Sequence, residues 1–249
     1  MKGFHFRWWW ALLSLPVILI VGFMVWAYTP PAPMPEALAV MQSDARVKVE
    51  ASSTVTFTPA DGQPTTGLIF YPGGRVDPRA YAPAAHAIAE MGYFVAIVPM
   101  PLNLAFFAPD SALGVIEQNP SIQHWVIGGH SLGGAMAARF ASTHPNAVGG
   151  LALWAAYPDS GDDLSESDLQ VVSIYGTRDG LVTADKIGDS RRLLPRSTRW
   201  VAIEGGNHAQ FGWYGSQSGD NDATIDRLEQ QAQTIRAVLR LLESVSDGS

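Results

Sequence analysis

Apolar and polar positions divide this chain into one long apolar run near the N-terminus and a series of short apolar segments separated by glycine, proline and polar turns. Trp8 to Tyr28 carries no charge. At about 1.5 Å per residue, a helix of that length spans roughly 30 Å, the thickness of a bilayer's hydrocarbon core. Trp8, Trp9 and Trp10 stand at one end and Trp26 and Tyr28 at the other, where amphipathic rings prefer to sit at the two membrane interfaces. Pro16 is tolerable in such a helix. Further on, 47–50 and 54–58 alternate in polarity and predict two antiparallel strands. Segments 67–71, 93–98, 124–128, 150–154, 169–175 and 199–204 predict further strands, most of them apolar and buried. The alanine-rich 80–91, the small-residue 135–141, 184–194 and 222–243 predict helices, and 103–117 is partly helical, split by Pro109. Apolar strands alternating with helices predict an α/β fold with a parallel sheet covered on both faces.

The charges flanking the apolar run orient it. Lys2 and Arg7 precede it, and the first basic residue after it is Arg46. The positive-inside rule puts residues 1–7 in the cytoplasm, makes 8–28 an uncleaved signal anchor, and places the rest outside a cytoplasmic membrane crossed once. The rival is a cleaved signal peptide, with release near Ala37-Leu38-Ala39 and secretion. The length of the run and its distance from Ala39 favour the anchor. The Pro-rich 29–45 reads as a stiff extended linker, 46–243 as the folded domain and 244–249 as a tail.

With 249 residues, 47% of them apolar, the chain is long enough for one ordinary domain plus an extension. It has no cysteine, which removes disulfides, Cys-ligated zinc, a thiol nucleophile and a lipoprotein anchor. The net charge is −7, and Lys48 and Lys186 are the only lysines beyond the apolar run, which argues against nucleic-acid binding. No histidines have the spacing of a paired metal-ligand motif, and no metal site is expected.

The chemistry centres on Gly129-His130-Ser131-Leu132-Gly133. A glycine two residues either side of a serine, between a strand and a helix, is the pattern of a sharp turn that leaves the hydroxyl exposed above a sheet. The Leu132 amide, at the start of the helix, then points at the oxygen of any carbonyl that Ser131 attacks. A serine needs a base, and the base needs an orienting carboxylate. On this strand order the carboxylate and then the histidine follow the serine on later loops. Of the six histidines, only His208 follows a strand downstream of Ser131, in Glu204-Gly-Gly-Asn-His-Ala. Asp179, just after the 169–175 strand and before Gly180, is the first choice of acid, and Asp185 the second. The acidic loop 159–168 reads as solvated surface. The second oxyanion donor falls in Tyr71-Pro-Gly-Gly-Arg75, at Gly74 first and Gly73 second, because glycines let a backbone amide face the substrate oxygen.

In these three loops and their order the chain resembles the α/β-hydrolase family over about residues 47–243, most of all the compact bacterial branch related to dienelactone hydrolases. The resemblance implies an eight-stranded, mostly parallel sheet and cofactor-free cleavage of a carboxylic ester or related acyl bond in a small-molecule substrate. The nucleophile is serine where dienelactone hydrolases have cysteine, and Tyr71-Pro72 stands where many lipases have His-Gly. A serine argues against the dehalogenases and epoxide hydrolases of this fold. An acyltransferase or perhydrolase using the same triad, and a non-catalytic binding module, are the alternatives.

Ser131 and Asp179 are close in sequence, leaving about a dozen residues, 156–167, to connect two parallel strands. That predicts a reduced helix there, minimal or no lid, and an open site preferring short, soluble acyl groups. Phe106, Phe107, Trp213 and Tyr214 are expected to form a low apolar wall beside the substrate.

Overall fold

The computed structural model describes residues 8–248 and, within the first helix, α1 (Trp8–Tyr28), the side chains from Ser14 onward. Lys2 and Arg7, and the side chains of Trp8, Trp9 and Trp10, on which the expected topology and one aromatic belt rest, lie outside the described residues. Eight strands, β1 (Val47–Ala51), β2 (Val55–Pro59), β3 (Thr66–Tyr71), β4 (Phe94–Ile97), β5 (His124–His130), β6 (Gly150–Trp154), β7 (Gln170–Gly176) and β8 (Arg199–Ile203), form one sheet in the order β1-β2-β4-β3-β5-β6-β7-β8. β1 pairs antiparallel with β2, and β2 with β4; every other neighbouring pair is parallel.

Alternation along the strands builds two cores. Leu68 and Phe70 of β3 face one way, with Phe57, Val95 and Trp154, and are covered by α3 (Ala82–Glu90) and α7 (Arg227–Asp247). Ile69 and Tyr71 face the other way, with Ile127 and Leu153, under α4 (Ala112–Gln118) and α5 (Leu132–Thr143). α7 starts later than its sequence pattern because Asp226 caps it, accepting from the Glu229 N–H at 2.7 Å. Pro109 precedes α4 and follows two short 3₁₀ turns, 101–103 and 105–107, so the 103–117 segment is broken where expected. Residues 155–169, between β6 and β7, contain no helix. α6 (Ala184–Ser190) completes the domain.

Two features of the N-terminal part differ from expectation. The 29–45 segment lies against the domain rather than standing clear of it. The Met34 N–H donates to the Trp213 carbonyl at 2.8 Å, the short helix α2 (Pro35–Ala39) buries Ala37, and His86 of α3 meets Asp44 at 3.1 Å. Pro35 opens α2 rather than prolonging an extended spacer, and free amides such as that of Met34 let the segment bind along the domain surface. The apolar run forms α1 (Trp8–Tyr28). Among the described residues, no helix is long and apolar enough to cross a membrane.

The strand order fixes where a site can be. The chain leaves β3 toward β4 on one side and leaves β5 toward β6 on the other. The crevice at the carboxyl ends of β3 and β5 is therefore the switch point, where open α/β sheets bind ligands. Tyr71 pairs with Gly129, so the loop after β3 begins level with the turn after β5.

Candidate active site

Ser131 occupies that turn with φ 52° and ψ −121°, a left-handed conformation that a non-glycine residue holds only under constraint. The constraint is close packing. A Cβ on Gly129 would fall 2.5 Å from the Gly133 carbonyl carbon, and one on Gly133 would fall 2.1 Å from the Tyr71 oxygen. Only glycines allow α5 to start so near the ends of β3 and β5. Ser131 is further held by its N–H, which donates to the Trp154 carbonyl at 2.9 Å. Leu132 is the first residue of α5, with no side-chain cap before it, so its N–H belongs to the open, electropositive end of the helix.

His208 and Asp179 lie on the loops after β8 and β7. Their side chains are 1% and 0% exposed, and His208 Nδ1 is 2.7 Å from Asp179 Oδ2. The other carboxylate oxygen accepts the Leu181 and Val182 amides at 2.8 and 2.7 Å, which fixes the plane of the acid. Asp185, the second choice, is exposed in the first turn of α6 and is not the partner of His208. Asp220 had no local signal in the sequence. It joins the two loops, accepting Ala209 N–H at 2.8 Å and Gly180 N–H at 3.0 Å.

Gly73 and Gly74 differ in what their amides do. The Gly73 N–H is buried and donates to the Tyr81 hydroxyl at 3.0 Å. Among the described residues the Gly74 amide has no acceptor, and a Cβ on Gly74 would lie 3.2 Å from the Leu132 side chain. Gly74 is thus the half-buried residue beside the start of α5. Tyr81 also reaches His130 Nδ1 at 2.8 Å. The His130 ring lies 4.5 Å, centroid to centroid, from that of His208. Burial holds the His130 imidazole well below the usual histidine range, reinforced by the neighbouring His208, and burial raises the Tyr81 hydroxyl. His130 is a neutral buffer packed between the two loops, a role the variable position of the turn did not suggest.

A cleft of about 680 Å³ opens on Ser131 and Leu132 and runs past Tyr157 and Pro158 to Lys186 and Arg192. Asp159 lines it too, so the acidic loop is not wholly surface. The expected aromatic wall is not there. Trp213 and Tyr214 are 7% and 5% exposed and pack into the domain, Tyr214 in the core with Tyr81 and Phe211. Their loop turns inward because the Trp213 N–H donates to the Ala80 carbonyl at 2.8 Å. Phe106 and Phe107 are 48% and 47% exposed, lie against each other with ring centroids 4.2 Å apart and planes tilted by 38°, and do not line the cleft. Among the described residues one group has metal-like spacing, Asp44, His86 and Glu90 within 4.8 Å of one another, but Arg46 already pairs with Glu90 at 2.8 Å. It includes no residue of the cleft.

Residues 67–232 match the model of the alpha/beta hydrolase family. The chain belongs to that family. Among solved structures it is similar to a CIB-like hydrolase of Thermoplasma acidophilum, with a TM-score of 0.60 at 14% identity over 80% of this chain and 98% of that one. A Klebsiella pneumoniae protein described as a dienelactone hydrolase gives 0.59 at 13% identity over 76% of this chain and 92% of that one. An alpha/beta hydrolase enzyme from the metagenome of lagoon sediments at Mar Chica, Morocco, gives 0.55 at 16% over 66% and 90%. At these identities the likeness is one of fold. No curated protein sequence matches this chain.

Proposed function

We propose that the chain is a serine hydrolase that cleaves a carboxylic ester or related acyl bond. One observation carries the reading: a serine in a strained left-handed turn at an open helix N-terminus shares a sheet edge with a buried His208–Asp179 pair at 2.7 Å. Ser131 Oγ attacks the acyl carbon while His208 Nε2 takes its proton. The Asp179 carboxylate, fixed by two amides, holds His208 with Nδ1 protonated and stabilises the imidazolium. The Leu132 and Gly74 N–H groups receive the oxyanion. His208 then protonates the leaving alcohol, and activates a water that attacks the acyl-Ser131 ester in the second half. The test is hydrolysis of p-nitrophenyl butyrate by the wild type and by His208→Ala, with product analysis in the presence of added alcohol or peroxide. Turnover by the wild type alone, with acid as product, is expected. Equal rates for the two proteins would refute the assignment, and ester or peracid as the main product would move it to acyl transfer or perhydrolysis.

We further propose that α1 anchors the protein in the cytoplasmic membrane with the hydrolase outside. In support, the described part of α1 exposes Leu15, Val17, Leu19, Val21, Phe23 and Val25, and the basic residues Lys2 and Arg7 lie on its N-terminal side alone. Retention of the segment is supported by its packing: cleavage after Ala39 would remove the buried Ala27 and Ala37. Protease added to intact spheroplasts should digest the domain. Protection until lysis would contradict the orientation.

A further inference from the structure

The C-terminal end of α1 is built into the loop that carries Gly74. A helix end leaves its last carbonyls without intrahelical partners. Here Thr29 Oγ1 donates to the Val25 carbonyl at 2.7 Å, Arg75 Nε to that of Trp26 at 2.9 Å and Asn103 Nδ2 to that of Ala27 at 2.9 Å. Arg75 Nη2 adds the Thr29 carbonyl at 2.9 Å, and its guanidinium lies 4.2 Å over the Trp26 ring. A cation at the negative end of a helix is favourable, and stacking on Trp26 adds to it. Arg75 follows Gly74 directly, and its N–H donates to the Asn103 carbonyl at 2.8 Å. The cradle is strained. Among the described residues five non-glycines have positive φ: Ser131, Ala155, and the three of this cradle, Arg75 at 55°, Leu102 at 56° and Asn103 at 53°. Such strain persists only where surrounding contacts over-determine it. Nor is there slack beyond the cradle, because Met34 and Ala37 are already bound to the domain.

The segments that meet in the cradle also carry exposed aromatics. Trp26 and Tyr28 are exposed at the end of α1. Phe106 and Phe107 are exposed immediately after the cradle, in the turn that packs against α5. On the anchor reading of α1, exposed aromatic rings of this kind are suited to the bilayer interface.

We infer that the α1 cap on Arg75 and Asn103 holds the Ser131 cleft against the bilayer surface, with Phe106 and Phe107 dipping into it, so that the substrate is an amphipathic acyl ester delivered by the membrane. This rests on the serine-hydrolase and anchor readings above. It replaces the preference for short soluble esters that the missing lid suggests. A lid shelters a lipid drawn out into water, and a cleft already resting on the membrane has no such need. The bilayer is the occupant of the aromatic surface because α1 brings that surface to it with a fixed orientation.

The experiment uses the full chain reconstituted in phosphatidylcholine vesicles. Two probes share one leaving group: umbelliferyl butyrate in the water and umbelliferyl oleate dissolved in the bilayer. Two variants are compared with the wild type by the ratio of oleate to butyrate rate. Phe106→Ser/Phe107→Ser removes the exposed pair outside the cleft, and Arg75→Gln/Asn103→Ala releases the helix end. The wild type is expected to cleave the bilayer ester. The ratio should fall at least about tenfold in each variant, with the butyrate rate of the phenylalanine variant within about twofold of wild type. An unchanged ratio in both variants, or cleavage of butyrate with the bilayer oleate untouched, overturns the inference and leaves the hydrolase reading standing. Failure of the wild type on both esters overturns the hydrolase reading itself, and this inference with it.

Discussion

Two helix ends meet the Gly73–Arg75 loop, and they are finished in opposite ways. At the N-terminus of α5 the Leu132 N–H and, beside it, the Gly74 N–H have no acceptor among the described residues. At the C-terminus of α1 the carbonyls of Val25, Trp26 and Ala27 are all bonded by side chains. Unsatisfied backbone groups carry a free-energy cost, so a fold leaves them open only where a ligand or water completes them. The open end suits an incoming oxyanion. The closed end is a joint. One loop serves both, and its two glycines divide the work: Gly73 is tied to Tyr81, and Gly74 is left free.

The comparison breaks most visibly at the open end. Ser131→Ala should lower kcat by a factor of order 10⁶ if the triad acts as a unit, and Asp179→Ala by a factor of order 10⁴, both measured on a soluble ester. A milder loss for Asp179→Ala than for Asp185→Ala would reverse the choice of acid. Next in size is Gly133→Ala, which puts a Cβ 2.1 Å from the Tyr71 oxygen and 2.3 Å from that of Pro72. Overpacking of this kind costs about 1–3 kcal/mol or more, visible as a lower urea midpoint with unchanged slope. Tyr81→Phe leaves the buried Gly73 N–H and His130 Nδ1 without their partner, and should cost about 1–3 kcal/mol by the same measurement.

The smallest effect is a pH dependence. His130 faces Tyr81, His208 and Tyr214, and is held neutral by burial. Its folded pKa lies below its unfolded value. On acidification the unfolded chain therefore takes the proton first, near pH 6.5. The stability conferred by neutral His130 is complete above that pH and falls below it. His130→Phe should make stability less steeply dependent on pH between about 7 and 5, as read from denaturant midpoints at several pH values. An identical slope in the variant would place the titration elsewhere.

How much of this was legible in the sequence depended on whether the signal was local. The placement of Ser131, Asp179 and His208 on the loops after β5, β7 and β8, and the pairing of the last two, could be read because chain order fixes loop order on a parallel sheet, and few residues of the right type fall after a strand. Gly73 and Gly74 could be narrowed to a pair but not separated, since the difference lies in a hydroxyl at Tyr81. Trp213 and Tyr214 were misplaced because loop residues have no periodicity to say which side faces inward; a single bond from the Trp213 N–H to Ala80 turns them into the core. The prolines of 29–45 suggested an extended spacer, whereas Pro35 opens the short helix α2. They gave no sign of the bond between Met34 and Trp213, which joins distant parts of the sequence. Asp220, Arg75 and Asn103 were invisible for the same reason: each acts on a backbone group far away in the chain.

The most direct test of the central claim, that Ser131 is the nucleophile, is to label the full-length protein with a fluorophosphonate and map the adduct by mass spectrometry. The account predicts one stoichiometric adduct on the peptide containing Ser131, absent in Ser131→Ala and sharply reduced in His208→Ala. An adduct on another residue, or labelling that survives Ser131→Ala, would contradict it.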